Sequence, residues 1–157
     1  MEEAVVTAVT HDTSEAKVTV SGVPDRPGVA ARLFRALADQ SINVDMIVQN
    51  TSDQGITDIS FTVPKTDLPV SVETANAHAG ELGAVAVTSD RDVSRVSLIG
   101  VGMKSHPGIA ATMFETLAKE EINIDMISTS TIRTSCIVRT DDVERAVRAL
   151  HAAFALG

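Results

Sequence analysis

Apolar and polar residues alternate along Lys17 to Val23 and again along Arg95 to Val101, the period of a half-buried strand. A Pro-Gly pair follows each run and marks a turn. Behind it, apolar positions recur three and four residues apart: Ala30, Leu33, Phe34, Leu37 and Ala38 in one stretch, Ala110, Met113, Phe114, Leu117 and Ala118 in the other. That spacing predicts a helix with one buried face. A second strand is expected to begin at Asn43 and at Asn123. In the first stretch Ile56 to Val63 alternates as a third strand, Leu68 to Glu81 predicts a helix, and Ala84 to Thr88 a fourth strand. The second stretch continues with a strand from Ile132 to Arg139. A helix capped by Asp141 or Asp142 follows, with Val143, Ala146, Val147, Leu150 and Phe154 on one face.

The two stretches are copies of one module. Shifted by 80 residues, Pro27 to Ile47 lies over Pro107 to Ile127 with twelve of twenty-one positions identical. Two copies are too few for a solenoid, so the pattern is a duplication. The first copy reads βαββαβ; the second stops one strand short, while Val5 to Val9 is a spare strand with no unit of its own. An open sheet position invites a strand. We therefore expect an α+β chain in which Val5 to Val9 completes the second sheet and the first unit is inserted in the second. The units would be 14–90 and 1–13 with 91–157.

Composition narrows the function. With 44% apolar residues in 157, the chain can bury one substantial core or two small ones. Thirteen basic against twenty-one acidic residues repel a phosphate backbone, and four Phe with no Trp or Tyr offer few stacking surfaces, which argues against nucleic acid. No apolar run approaches a membrane span, and the acidic start Met-Glu-Glu-Ala is unlike a signal peptide, so a cytoplasmic protein is expected. The single cysteine, Cys136, and the four histidines share no metal-ligand spacing. Gly100-Val-Gly102-Met-Lys-Ser105 fits neither a P-loop nor a dinucleotide fingerprint, and no catalytic constellation or cofactor site is visible. His106 reads as a turn residue rather than a base, and Cys136 as core.

The blocks Asp25-Arg-Pro-Gly28, Ile42-Asn-Val-Asp-Met-Ile-Val-Gln49, Thr57-Asp-Ile-Ser-Phe61, Gly102-Met-Lys-Ser-His-Pro-Gly108 and Asn123-Ile-Asp-Met-Ile-Ser-Thr-Ser130 together resemble the regulatory region of actinobacterial-type aspartokinases. The resemblance implies two ferredoxin-like βαββαβ ACT units, with antiparallel sheets and helices on one face. It also implies a regulatory β subunit of an α2β2 enzyme, without a catalytic site of its own. Its effector would be L-threonine, with L-lysine as a second candidate, feeding back on synthesis of the aspartate-derived amino acids. The expected partners are a second copy, in a homodimer, and the catalytic α subunit. Ser130-Thr131-Ile132-Arg133 stands where the family carries Ser-Glu-Ile-Arg, which removes a carboxylate from the edge of the effector site.

An amino-acid ligand needs donors for its carboxylate and acceptors for its ammonium. The free N–H groups at a helix N-terminus meet the first need. Behind Pro27 and Gly28, Val29 and Ala30 would present them, and Asp25 would take the ammonium. Alone, a Pro-Gly turn before a helix is structural punctuation. In the expected second strand Asn43, Asp45 and Gln49 fall at even offsets and share one face beside Val44, where Gln49 can bond a threonine hydroxyl; the plainer reading is polar residues facing solvent. The resemblance brings Asn123, Ile124, Ser130 and Thr131 of a partner's second unit against Asp25 to Ala30 and Gln49. The second junction, through Ile109 and Ala110, repeats the geometry with Ser105 in place of Asp25. An independent small enzyme and a free-standing amino-acid sensor of another enzyme, a transporter or a transcription factor are the competing functions.

Overall fold

The computed structural model describes residues 5–101 and 106–156. In chain order its elements are β1 (Val5–Asp12), β2 (Glu15–Pro24), α1 (Val29–Asp39), β3 (Ile47–Thr51), β4 (Ile56–Pro64), α2 (Leu68–Leu82), β5 (Ala86–Asp90), β6 (Val93–Val101), α3 (Gly108–Lys119), β7 (Met126–Thr129), β8 (Arg133–Arg139) and α4 (Val143–Ala153). They form an inner unit, Ser14–Arg91, and an outer unit made from the stretch before it and the stretch from Asp92 onward.

The inner sheet runs β3-β4-β2-β5 and the outer sheet β1-β6-β8-β7, every pair antiparallel. The two orders are the same once β1 takes the place that β5 holds in the inner unit. Each is a βαββαβ sheet, and the inner one is inserted in the chain of the outer. Among the described residues no helix is long and apolar enough to cross a membrane.

Periodicity explains the cores. In β2, Ala16, Val18 and Val20 alternate inward and meet Leu33 and Leu37 of α1, all wholly buried, and Phe34 sets its ring edge-on to Phe61 of β4 at 5.4 Å. In the outer unit Val96 and Leu98 of β6 meet Met113 and Leu117 of α3 and Ala146 and Leu150 of α4. Each buried leucine stabilises its unit by about 1.5–3 kcal/mol.

The two site-bearing helices end alike. The Ser41 and Ile42 N–H groups donate to the carbonyls of Ala38 and Leu37 at 2.9 and 3.1 Å; Glu121 and Ile122 donate to Ala118 and Leu117 at 2.9 and 3.0 Å. Ser41 and Glu121 sit in the left-handed region, with φ of 59° and 58°. This is a Schellman-type stop whose hydrophobic contact is the buried Ile42 or Ile122.

That stop corrects the expected second strands. They begin at Ile47 and Met126, not at Asn43 and Asn123, because the chain leaving the cap forms an irregular arm first. The expected strand at Ala84 likewise starts at Ala86, since the Ala84 N–H still closes α2 on the Ala79 carbonyl at 2.9 Å. β8 starts at Arg133, with Ile132 in the turn. Asp142 occupies the N-cap position of α4 without capping it: its carboxylate accepts from Arg145 Nη2 at 3.0 Å instead.

β2 bulges between Val20 and Val23, and Gly22 there has φ of +68° and donates its N–H to Asp58 Oδ1 at 2.9 Å. A Cβ at Gly22 would stand 2.6 Å from Val85 Cγ2. Val85 Cβ itself would stand 2.9 Å away, and the Val85 N–H is held on the Ser21 carbonyl at 2.8 Å, so a rotamer change does not clear the site and some clash adds to the backbone cost. Gly22→Ala should lose about 1–3 kcal/mol in urea unfolding, mostly the ~1–2 kcal/mol of a left-handed alanine. Adding Val85→Ala should recover little of it. Full recovery in the double variant would place the cost in the side-chain clash.

Candidate functional site

The bulge in β2 leads its end into the inner junction. Pro24 pairs with Ile56, and the next residue, Asp25, donates its backbone N–H to the Gly55 carbonyl at 2.8 Å, tying the junction to the β3–β4 turn. Gly28 is the N-cap of α1, with φ of 94° that only glycine adopts freely, and no side chain bonds to this helix end. The first i-to-i−4 bond is Arg32 N–H to the Gly28 carbonyl at 3.0 Å, so the N–H groups of Ala30 and Ala31 precede the helical ladder. No acidic residue lies in the first turn. The end of α1 therefore offers donors and a positive dipole beside an exposed carboxylate at Asp25. Pro27 and Gly28 are exposed, Val29 is buried, and Ala30 packs partly on the core.

Asn43, Val44 and Asp45 lie elsewhere. Their arm precedes β3, and the Asp45 N–H donates to the Thr62 carbonyl at 3.0 Å, six residues along β4 from the end that meets the junction. At ~3.3 Å per residue that is about 20 Å. Asn43 and Asp45 thus do not share a strand face with Gln49, which is exposed on β3 opposite Ile59. Junction and arm occupy opposite ends of one sheet.

The outer unit repeats this. Ile109 and Ala110 join Ser130 and Thr131 around a cleft of about 350 Å3, with His106, Pro107, Thr129 and Thr134 as further walls. Asn123 is exposed and Ile124 half-buried in an arm whose Asp125 N–H donates to the Ile137 carbonyl at 2.8 Å, three residues beyond Thr134 and about 10 Å along β8. The structure therefore separates Asn123 and Ile124 from Ser130 and Thr131. Ser105, the counterpart of Asp25, lies outside the described residues. The helix starts also differ: α3 begins at Gly108 behind a right-handed Pro107, one position earlier than α1.

Sequence reasoning missed Thr129, Thr134, His106 and Pro107 as cleft walls. Thr129 and Thr134 are a cross-strand pair at the mouth of the β7–β8 turn, legible once the hairpin register is known. Ser130, read as a ligand contact, makes the turn itself: its Oγ accepts from the Arg133 and Ile132 N–H groups at 3.2 and 3.4 Å. Burial pushes the Cys136 thiol up to about 12, so it stays neutral and unreactive at physiological pH.

The sequence comparisons bear on a pair of repeated junctions with uncapped helix ends. The ACT domain model matches residues 17–78 and 96–154. The chain is 38% identical to the regulatory subunit of aspartate kinase from Thermus thermophilus, solved in a ligand-free form. It covers 99% of that subunit and 96% of itself, with a TM-score of 0.91.

The chain belongs to the ACT-domain regulatory region of the aspartokinases.

A structure of aspartokinase alpha and beta subunits matches it at 46% identity and a TM-score of 0.92, covering 97% of this chain and 100% of that one. The aspartokinase of Mycolicibacterium smegmatis is 51% identical over the whole chain, which spans 38% of that relative's length. In this aspartokinase regulatory region one ACT match falls on the inner unit and the other on the outer. Among its described residues, no group of three or more His, Cys, Asp or Glu side chains is placed to hold a metal ion.

Proposed function

We propose that the chain senses L-threonine, with L-lysine as a second effector, and transmits feedback inhibition to the catalytic part of a cytoplasmic aspartate kinase. The carrying observation is the uncapped N-terminus of α1 behind Gly28, with Asp25 exposed beside it. Together they meet the opposite charges of an amino acid. The effector surface comprises Asp25, Pro27, Gly28, Val29 and Ala30 at one end of the inner sheet, with Gln49 midway along its edge strand, opposite Ile59. Asn43, Val44 and Asp45 belong to the sheet's other end, and Ile109, Ala110, Asn123, Ile124, Ser130 and Thr131 to the corresponding ends of the outer unit.

The separation of junction from arm within each sheet supports a pocket completed by a second copy of the chain, whose arm covers the junction of the first. Ile47 and Ile127 support the same arrangement: each stands at the same point of an edge strand, 52% and 45% exposed. Edge strands bearing apolar side chains seek a partner. A homodimer joined to catalytic α subunits in an α2β2 enzyme accounts for both.

Calorimetric titration of the 157-residue chain with threonine, lysine, methionine and isoleucine tests the reading. We expect threonine to bind with a Kd of roughly 10 μM to 1 mM, about 4–7 kcal/mol, because so small a ligand offers few contacts. Light scattering should report twice the chain mass, and threonine should tighten that dimer by linkage. Absence of binding by all four amino acids would remove the sensing role; a monomer at tens of micromolar with threonine present would remove the shared pocket.

A further inference from the structure

Two residues of the inner arm, Asp45 and Met46, face one residue of β4. The Asp45 N–H donates to the Thr62 carbonyl, and the Thr62 N–H donates to the Met46 carbonyl, both at 3.0 Å. Two residues against one is a β-bulge, which leaves an N–H outside the regular ladder. Here that group, the Met46 N–H, donates to the Thr62 hydroxyl at 2.9 Å in a buried position. Thr62 is wholly buried and Met46 nearly so, so water is not at hand to replace the hydroxyl.

The outer arm is tied differently: Met126 is itself in the ladder opposite Ile137, and the Asp125 carboxylate lies 3.9 Å from Arg139 Nη1. Ile47 faces Phe61 and Ile127 faces Cys136, which makes Ile137 the counterpart of Thr62. Its carbonyl accepts from the Asp125 N–H at 2.8 Å, as the Thr62 carbonyl accepts from Asp45, but its side chain carries no hydroxyl. The duplication has kept the backbone bond and varied the side chain behind it.

We infer that the Thr62 hydroxyl is a positioning group for the effector. It fixes the bulge from which Asn43, Val44 and Asp45 project, and so ties effector affinity at the inner arm to one buried side chain that the outer arm lacks. The inference rests on the proposed role of that arm in effector binding. Thr62 does not touch the ligand. It sets the shape and stiffness of the segment that does, and an arm already held in its bound form pays less ordering entropy on binding.

Thr62→Val keeps the shape and removes the hydroxyl; Thr62→Ser keeps the hydroxyl and removes a methyl. Titration of each variant with threonine and with lysine, alongside amide hydrogen exchange at residues 43–46, separates positioning from packing. We expect Thr62→Val to bind the arm's effector at least fivefold more weakly and to exchange the Met46 amide at least tenfold faster. Thr62→Ser should restore both to within about twofold of the parent. A purely packing role reverses the order, with serine the worse variant, and overturns the inference. Equal binding by Thr62→Val and the parent also overturns it, while leaving the sensing role intact. A parent that binds neither amino acid removes the sensing role and this inference together. Should Thr62→Val not fold, the parent decides: saturating threonine or lysine must slow exchange at residues 43–46, and unchanged exchange with both overturns the inference.

Discussion

Deleting residues 1–13 should unfold the outer unit and leave the inner one standing. β1 pairs with β6 from Val5↔Val101 to Asp12↔Arg95, and Val6 and Val9 pack on the outer core. Val6 and Val9 are partly buried, so losing them removes at most about 3–6 kcal/mol of apolar burial, and β6 loses its outer ladder as well. A domain is typically stable by ~5–15 kcal/mol, so the loss is of the order of the whole. Asp12 also carries an ion pair to Arg95 at 3.5 Å, partly buried, which goes with the strand. The inner sheet has its own four strands and its own core, and none of them comes from residues 1–13. In an amide correlation spectrum the signals of 92–156 should collapse to unfolded positions while those of 14–91 stay dispersed. Retention of both sets would mean that β1 is a passenger on the outer sheet; collapse of both would mean that the units do not fold independently.

The second large effect is expected at Asp25. Asp25→Ala removes the acceptor proposed for the effector's ammonium and should weaken threonine binding by about 1.5–3 kcal/mol, the range for a hydrogen bond to a charged group. That is roughly a ten- to 150-fold rise in Kd by calorimetry. The side chain is exposed and the junction is held by the backbone bond from Asp25 N–H to Gly55, which alanine keeps, so the thermal midpoint should barely move. Gln49→Ala should act differently, narrowing the preference for threonine over valine because it deletes the partner proposed for the hydroxyl. If both variants bind threonine as the parent does, the pocket lies elsewhere.

Much of this architecture can be read along the chain. The repeat of Pro27 to Ile47 in Pro107 to Ile127 marks two like units, and the helix faces through Leu33 and Leu37 or Met113 and Leu117 are written in their spacing. Even the borrowed strand follows from counting elements, because a sheet one strand short needs Val5 to Val9. What does not show is the arm. Asn43 to Asp45 has the polar alternation of a strand, but it is held off the ladder by bonds to Thr62, a residue 17 positions downstream. Local periodicity cannot see a bulge whose cause is so distant in sequence. The same holds for Thr134, hidden because β8 is buried continuously from Thr134 to Val138 and shows no alternation to read. The turn role of Ser130 is hidden for a nearer reason: a serine that opens a short hairpin turn can direct its hydroxyl to the turn's own N–H groups.

Threonine titration of the isotope-labelled chain, followed amide by amide, tests the central claim most directly. The account predicts saturable shifts at Ala30 and Ala31, whose N–H groups precede the helical ladder and receive the carboxylate, and at the adjoining Gly28, together with shifts in an arm at 43–45 or 123–125. It predicts none of comparable size along the outward faces of α2 and α4. Shifts confined to those helix faces, or no saturable change at millimolar threonine, would contradict it.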